Sequence, residues 1–564
     1  MKHPTYVLDE EFAARIRAWR DADPDAGCVT DLDVLVQSAR RGDDDALTEL
    51  QDAFTGMLRF GTAGLRGRMA PGPNRMNSAV VRKAAWALAR SVPTESSVPP
   101  VCVIGYDSRY RSRHFAEESA AVLAAAGWRA LVMPRALPTP ILAFAVRHLQ
   151  TDLGIMVTAS HNPPRDNGYK VYLGDGRQII EPIDSGVADA MTQAPPAREI
   201  ATSREWELLD DRIVEAYLAS AVEILQSASP REVTLVHTAL HGVSTEVFAT
   251  ALSRAGFPAP IEVTAQRDPD PDFPTLDFPN PEEAGALDLA IATALEHDAD
   301  AIIAHDPDAD RCAVAIPTAD GWRMLSGDEV GALLGSWLIE QHGPIHGRFA
   351  ASLVSGSWLQ AIADGAGIGY DTTLTGFKWI TRTPELRFGY EEALGYCVDP
   401  EHVADKDGIT AGLLFAEFLA ETKRQGRAVT DVLAELSRRF GVHATRGVSF
   451  RRDHPAQIAD LMATLLASPP TDMAGFAVVD TIDLSQGWAG LPPTTGLLMT
   501  LRRGEVAGRL IIRPSGTEPK VKAYLQVVTP AGEDPEPAAE MAQAALTDLE
   551  DTLTALIDAV GGLP

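Results

Sequence analysis

The feature that most constrains this chain is a repeated alternation of short apolar runs with helix-patterned runs. "VCVIGYD" (101–107) reads as an apolar strand closed by a polar turn. "HFAEESAAVLAAAG" follows as a helix ended by Gly127, and "ALVM" is a second strand. "PILAFAVRHL" is a helix with Pro140 in its first turn, and "LGIMVTAS" is a third strand. Strands that alternate with helices build βαβ units, and hence a mostly parallel sheet with helices on both faces.

The pattern recurs twice. "VTLVHTA" (233–239), a helix near 242–255, "PIEVT", a helix and "DAIIAHD" make a second unit. "RFAASLVSGS" (348–357), a helix, "TLTGFKWI", "LRFGYEE" and the helix "GITAGLLFAEFLAET" make a third. The C-terminal part differs. Four strands lie close in sequence ("GFAVVDTIDL", "TTGLLMTL", "GRLIIRPSG", "KVKAYLQVV") ahead of one long helix, an α+β layout. Residues 9 to about 58 carry helical spacing and read as an N-terminal extension. The expected divisions are 1–58, 59–230, 231–342, 343–452 and 453–564. A chain of 564 residues exceeds one hydrophobic core, which agrees with roughly three to five domains.

The formal charge of -29 argues against a nucleic-acid partner or an anionic membrane. A small anionic substrate would need a local cluster of Arg and Lys. Cys28, Cys102, Cys312 and Cys397 are far apart and form no CxxC, so they read as reduced thiols of a cytoplasmic protein. The start "MKHPTYVLDEEF" has no apolar signal core. The most apolar run, "AAVLAAAGWRALVM", is too short to span a bilayer.

Five segments carry groups suited to chemistry. In "TASHNPPRDNGYK", Ser160 sits just past a strand end, where open α/β sheets bind ligands. His161 and Lys170 can move a proton or hold a phosphate, and Asn167-Gly168 is expected to turn the loop back. Alone, the segment fits a nucleophile loop and a plain polar turn equally. In "AIIAHDPDADR", Asp306, Asp308 and Asp310 at alternate positions can converge on one hard cation. An EF-hand is excluded, because its sixth position is Arg311 and its twelfth is Pro317. Three carboxylates with room for water suit Mg²⁺ better than a calcium cage. In "RPSGTEPK", Arg513, Ser515, Gly516, Thr517 and Lys520 can form an anion nest, or an ordinary hairpin. In "FGTAGLRGRM", Arg66 can meet a phosphoryl group. Glu391 and Glu392 of "GYEEALGY" can accept bonds from sugar hydroxyls, and Lys378 of "TGFKW" lies in a comparable loop. "LSGDEVGALL" reads as structural, with Ser326 and Glu329 forming a capping box.

Taken together, "TASHNPP…NGYK", "DPDADR", "GYEEALGY" and "RPSGTEPK", in this order, resemble the α-D-phosphohexomutase superfamily of phosphoglucomutases and phosphomannomutases. "FGTAGLRG" and "TGFKW" resemble the branch that also contains phosphopentomutases. The resemblance implies three mixed α/β domains around a cleft plus a C-terminal α+β domain. It implies a mutase interconverting hexose 1-phosphate and hexose 6-phosphate through a phosphoserine at Ser160 and a sugar bisphosphate. Mg²⁺ would be held by Ser160, Asp306, Asp308 and Asp310. Arg66, His161 and Lys170 would serve proton transfer and charge neutralisation. Arg311, Lys378, Glu391, Glu392 and the Arg513–Lys520 loop would bind substrate. A phosphopentomutase is the alternative, and a serine phosphatase or a sugar-phosphate sensor stands further off, since hydrolysis needs no second phosphate clamp. Partners are expected to be small sugar phosphates, with the chain a monomer or homodimer. One departure stands out. Many members carry Glu-x-Ser and a nearby His in the sugar loop, whereas here Glu391-Glu392-Ala393 is followed by Leu394 and Gly395. Ala393 has no hydroxyl to offer.

Overall fold

Strands β1 (Phe60–Gly61), β2 (Gly64–Arg68), β3 (Val101–Tyr106), β4 (Arg129–Val132), β5 (Leu153–Val157), β6 (Asp166–Leu173) and β7 (Glu207–Leu208) form one sheet, ordered β1-β2-β6-β5-β3-β4-β7. β3, β4, β5 and β7 run parallel, while β6 is antiparallel to both β5 and β2. Alternate residues face one core, as the two-residue period of a strand requires. Cys102 and Ile104, Leu153, Ile155 and Val157, and Tyr169 and Val171 pack with Val80, Leu88, Phe115 and Leu123 of two helices. Full burial of each large aliphatic contributes about 1.5–3 kcal/mol. The computed structural model describes residues 8–61, 64–93, 99–343, 346–451, 455–514 and 520–561.

The described chain divides into two compact units. The first comprises Met1–Leu225, Arg231–Ala315 and Asp399–Leu413; the second comprises Gln226–Pro230, Ile316–Val398 and Leu414–Pro564. Besides the first sheet, the first unit holds β8 (Leu235–Thr238), β9 (Ile261–Glu262), β10 (Ala301–Ala304) and the start of β11 (Ala313–Thr318). β8 is parallel to β10 and β9, and β11 is antiparallel to β10. The strand expected over "PIEVT" shrinks to two residues and gives way to a 3-10 turn at Thr264–Gln266, where Gln266 accepts a bond from Thr238. Three N-terminal helices, Glu10–Ala22, Ala26–Arg40 and Asp44–Ala53, begin at Asp9, Asp25 and Asp43, whose carboxylates cap first-turn amides. Ile16, Leu32, Leu50 and Phe54 form their core.

In the second unit, β12 (Gly321–Met324) precedes the helix Gly327–His342, which starts with the expected Ser326/Glu329 capping box. β13 (Arg348–Ser352), β14 (Gly369–Thr373), β15 (Leu386–Glu391) and β16 (Gly395–Cys397) lie in the order β14-β13-β15-β16. The run "TLTGFKWI" does not continue as a strand. β14 stops at Thr373, and Phe377–Ile380 is a short helix behind Gly376, whose φ of 113° suits glycine alone. The last sheet holds β17 (His443–Arg451), β18 (Asp472–Met473), β19 (Phe476–Asp483), β20 (Leu497–Arg503), β21 (Val506–Pro514) and β22 (Lys520–Val528). It is antiparallel and curled, ordered β17-β22-β21-β20-β19-β18. β17 pairs with β22 along its whole length, so this sheet begins ahead of the expected division at 452. Leu461, Leu465, Leu546, Leu549 and Leu553 of two helices cover it. No helix among the described residues is long and apolar enough to cross a membrane.

Asn167 and Gly168, expected to turn, lie inside β6 instead. Their environment outweighs their turn propensity. The buried Asn167 amide donates to the Tyr110 carbonyl at 3.0 Å and the Ser112 hydroxyl at 2.9 Å. A Cβ at Gly168 would lie 2.9 Å from the Thr158 carbonyl oxygen. Asn167→Ala should therefore destabilise the protein by about 1–3 kcal/mol, the cost of leaving buried acceptors unpaired, read as a lower urea midpoint.

Candidate active site

β5 ends at Val157, and three residues later Ser160 is 2% exposed with φ 53°, a left-handed conformation that costs energy outside glycine. Arg109 holds the loop in that shape. Its guanidinium donates to the carbonyls of Ser160 (2.5 Å), Asn162 (2.6 Å), Pro163 (2.8 Å) and Asp166 (3.3 Å). The Ser160 amide donates to the Thr158 hydroxyl at 2.8 Å. Arg109 is itself paired with buried Asp107 at 3.3 Å, and Asp107 accepts from the Ser112 hydroxyl at 2.6 Å. Sequence reasoning missed both residues. Their signal is an Asp-x-Arg placed at the carboxyl end of β3.

Asp306, Asp308 and Asp310 follow β10, all buried, with one oxygen of each within 4.8 Å of the others. Ser160 Oγ donates to Asp306 Oδ2 at 2.9 Å. The Lys170 ammonium, carried on β6, bonds Asp308 Oδ2 at 2.6 Å and also Asp310 Oδ2. Thr139 adds a 2.5 Å hydroxyl bond to Asp308, and Lys406 pairs with Asp310 at 3.2 Å. Burial opposes the charge on Lys170, but Asp308 and Asp310 outweigh it and raise its pKa. Burial likewise opposes ionisation of Asp310, yet Lys170 and Lys406 hold it below the usual range. Asp306 has no ion pair among the described residues, and burial, with Asp308 and Asp310 adding, pushes it well up against the opposing charges of Arg311 and Lys170.

Asp308 Oδ1 and Asp310 Oδ1 are buried without a hydrogen-bond partner among the described residues. Two orphaned carboxylate oxygens beside a third strongly raised acid fit a hard divalent cation. The loop is braced from behind by Gly408. Its amide donates to the Ala309 carbonyl at 3.2 Å, and its own carbonyl lies 3.0 Å from His305 Nε2. Lys406 and Gly408 lie in "ADKDG", which sequence reasoning did not single out.

Around Ser160, His161 Nδ1 lies 3.2 Å from Oγ, and burial, with Arg311 and Arg66 adding, holds its pKa well below the usual value. Arg66, on β2, reaches Asn162 Oδ1 at 3.5 Å, and its buried Nε has no hydrogen-bond partner among the described residues. The Arg311 amide donates to Asp306 Oδ1 at 3.1 Å, and its guanidinium to Glu282 at 3.2 Å. The structure thus gathers Ser160, Arg66, His161, Lys170, the three Asp and Arg311 in the first unit.

The remaining expected residues lie in the second unit. Glu391 ends β15 and accepts from the Gly376 amide at 2.6 Å. Glu392 accepts from the hydroxyls of Ser355 (2.9 Å) and Ser352 (3.2 Å). Burial, with Glu391 and Asp328 adding, pushes Glu392 up to about 7. Lys378 lies in the short helix after Gly376. Arg513, near the end of β21, bonds the hydroxyls of Thr375 and Thr494, the latter at 3.1 Å. Lys520 opens β22. Ser515, Gly516 and Thr517 lie outside the described residues. Asp328, read only as part of a capped helix, also accepts from Tyr390 (2.8 Å), the Gly356 amide (2.6 Å) and Thr445 (2.7 Å).

Three domain models match in sequence order: phosphoglucomutase/phosphomannomutase alpha/beta/alpha domain I over residues 57–198, domain II over 215–321 and domain III over 326–440. A probable phosphomannomutase of Haemophilus influenzae is 43% identical over 469 residues, covering 82% of this chain and 94% of that protein. The chain belongs to the phosphoglucomutase/phosphomannomutase family. It is a sugar-phosphate mutase, an intramolecular phosphotransferase. Other family members are similar over most of their length. A human phosphopentomutase is 34% identical, covering 86% of this chain and 88% of its own, and a phosphoglucomutase of Staphylococcus epidermidis is 32% identical, covering 88% and 96%. A putative phosphomannomutase structure from Thermus thermophilus shares the family fold, with a TM-score of 0.67 and 24% identity, over 87% of this chain and 99% of that one.

Arg109→Ala should cost about 3–5 kcal/mol in chemical denaturation, because it strands buried Asp107 as well as four carbonyls. Glu392 gives a pH test. Its folded pKa of about 7 exceeds the ordinary 4.5, so its contribution to stability is fully present below 4.5 and is lost as pH rises through 7. Wild type should therefore lose stability relative to Glu392→Gln across that window in melts at stepped pH, and parallel curves would contradict the assignment.

Proposed function

We propose that the chain interconverts hexose 1-phosphate and hexose 6-phosphate, of glucose and/or mannose, with Ser160 carrying a phosphoryl group in the resting enzyme. The observation that carries this reading is Ser160 Oγ bonded to Asp306 within the buried Asp306–Asp308–Asp310 cluster. Phosphoryl transfer needs positioning and charge stabilisation more than covalent chemistry, and these residues supply both. Asp306, Asp308 and Asp310 would hold Mg²⁺, which when bound supplies positive charge to the transferring group.

In the first half-reaction the bond from phosphorus to Ser160 Oγ would break as a new bond forms to the free sugar hydroxyl, and the proton that hydroxyl loses would pass by way of His161 to the leaving Ser160 oxygen. Arg66, whose buried Nε has no hydrogen-bond partner among the described residues, faces the same loop and offers a fixed positive charge. Asp308 and Asp310 favour the charged form of Lys170, which would neutralise them and serve the proton and charge balance of the site. The sugar bisphosphate then presents its other phosphate. Ser160 is now the acceptor, and neutral His161, at 3.2 Å, is placed to take its hydroxyl proton. Glu391 and Glu392, with Lys378, would read the sugar, Arg311 would bind substrate beside Asp306, and Arg513, Ser515, Gly516, Thr517 and Lys520 would hold phosphate that is not reacting. The four cysteines are unpaired and buried, which supports a reducing, cytoplasmic setting.

A pentose reading has its own support: Ala393 offers the sugar no hydroxyl, and one relative is a human phosphopentomutase. Comparing kcat/KM for glucose 1-phosphate, mannose 1-phosphate and ribose 1-phosphate, with a trace of bisphosphate, separates the two. The hexoses should lead, and a preference for ribose 1-phosphate would replace the hexose assignment. Ser160→Ala should lose essentially all turnover while keeping its melting temperature, and EDTA should abolish wild-type activity reversibly. Turnover that survives EDTA would remove the metal from the account.

A further inference from the structure

Two short bridges in the second unit join the sugar loop to β21. In the first, the Gly376 amide donates to Glu391 at 2.6 Å, and the adjoining Thr375 hydroxyl accepts from the Arg513 guanidinium. In the second, the Ser355 hydroxyl donates to Glu392 at 2.9 Å, and the Ser355 carbonyl accepts from Arg509. Arg509 and Arg513 are four residues apart on one strand, so they project from the same face. Glu391 and Glu392 are consecutive. Each carboxylate is thus tied to its own arginine through one intervening residue or residue pair, and β21 leads directly into the expected phosphate loop.

The bridges are held from a third side. Asp328 accepts from the amide of Gly356, next to Ser355, from the hydroxyl of Tyr390, next to Glu391, and from Thr445 on β17. The electrostatics run the same way. Burial lowers the pKa of Arg509 and Arg513, while the charges of Glu392 and, for Arg513, Glu391 oppose that loss.

We propose that Thr375 and Ser355 are positioning residues that couple the sugar loop to the phosphate-loop strand, so that both grip one sugar phosphate as a unit. This rests on the proposed roles of Glu391 and Arg513. Neither bridging residue needs to touch substrate. Each fixes the spacing between the group that reads the sugar and the group that holds its phosphate. Inorganic phosphate has no sugar to align, so it should be indifferent to that spacing.

The test compares Thr375→Val, Ser355→Ala and the double variant with wild type. Each single variant should raise KM for glucose 1-phosphate roughly five- to twentyfold, the loss expected from one buried hydrogen bond. The double variant should raise it further. The Ki of inorganic phosphate should stay within about twofold, since Arg513 keeps Thr494. Thr375→Ser, which retains the hydroxyl, should restore KM. A packing role alone would lower the melting temperature without this split between KM and Ki. Unchanged KM in the variants, KM and Ki rising together, or Thr375→Ser as impaired as Thr375→Val would overturn the proposal. If the double variant fails to fold, the single variants decide by the same outcomes. Should wild type prove inactive on sugar phosphates, the functional reading fails by itself. The bridges are then judged from calorimetric Kd values for glucose 6-phosphate and inorganic phosphate, with the same split expected.

Discussion

The arrangement of the first unit depends on the Lys170 ammonium, held between Asp308 and Asp310. Three carboxylates buried at the end of one strand would not stay ionised by themselves. Lys170 reaches them from β6, a strand of the other sheet, and is itself only 2% exposed at the side chain. Removing it would leave two buried charges uncompensated, the costly way to break a buried pair. Thr139 makes the same connection, through its hydroxyl and its amide, to Asp308. The serine loop and the acidic loop are therefore one construction within the first unit.

That construction stores strain where chemistry is expected. Ser160 and Ala309 both have left-handed backbones, with φ of 53° and 55°. Non-glycine residues keep such conformations only where their surroundings over-determine them. For Ser160 the surroundings are the four carbonyl bonds of Arg109; for Ala309 they are the Gly408 amide and the tight approach of its backbone. A loop fixed this firmly needs little reorganisation when a charged group arrives, the condition under which electrostatic stabilisation is most effective.

The placement of Ser160 and the three Asp just past strand ends was legible in the sequence because the signal is local: a buried strand, then polar side chains at fixed spacing. The βαβ alternation was legible for the same reason. Arg109, Thr139, Lys406 and Asp328 were not, because each acts on a partner distant in sequence, and no local pattern marks a residue that bonds another loop. Asn167-Gly168 misled in the opposite direction. Its turn propensity is real, but two side-chain bonds and a crowded backbone place it in β6. "TGFKW" ends a strand because Gly376 takes a backbone angle that lets the chain leave β14. The sugar itself is least legible, since Ala393 tells only which hydroxyl is missing.

The central claim is that Ser160 passes a phosphoryl group to the sugar and receives one back. It is tested most directly by following the phosphate. The protein would be incubated with glucose 1-phosphate labelled in its phosphate and freed of small molecules, and its labelled peptide would be mapped. It would then be mixed with unlabelled sugar phosphate. The account predicts label on the peptide containing Ser160, followed by its appearance in the second sugar. Label that never reaches the protein, or that leaves only as inorganic phosphate, would contradict it.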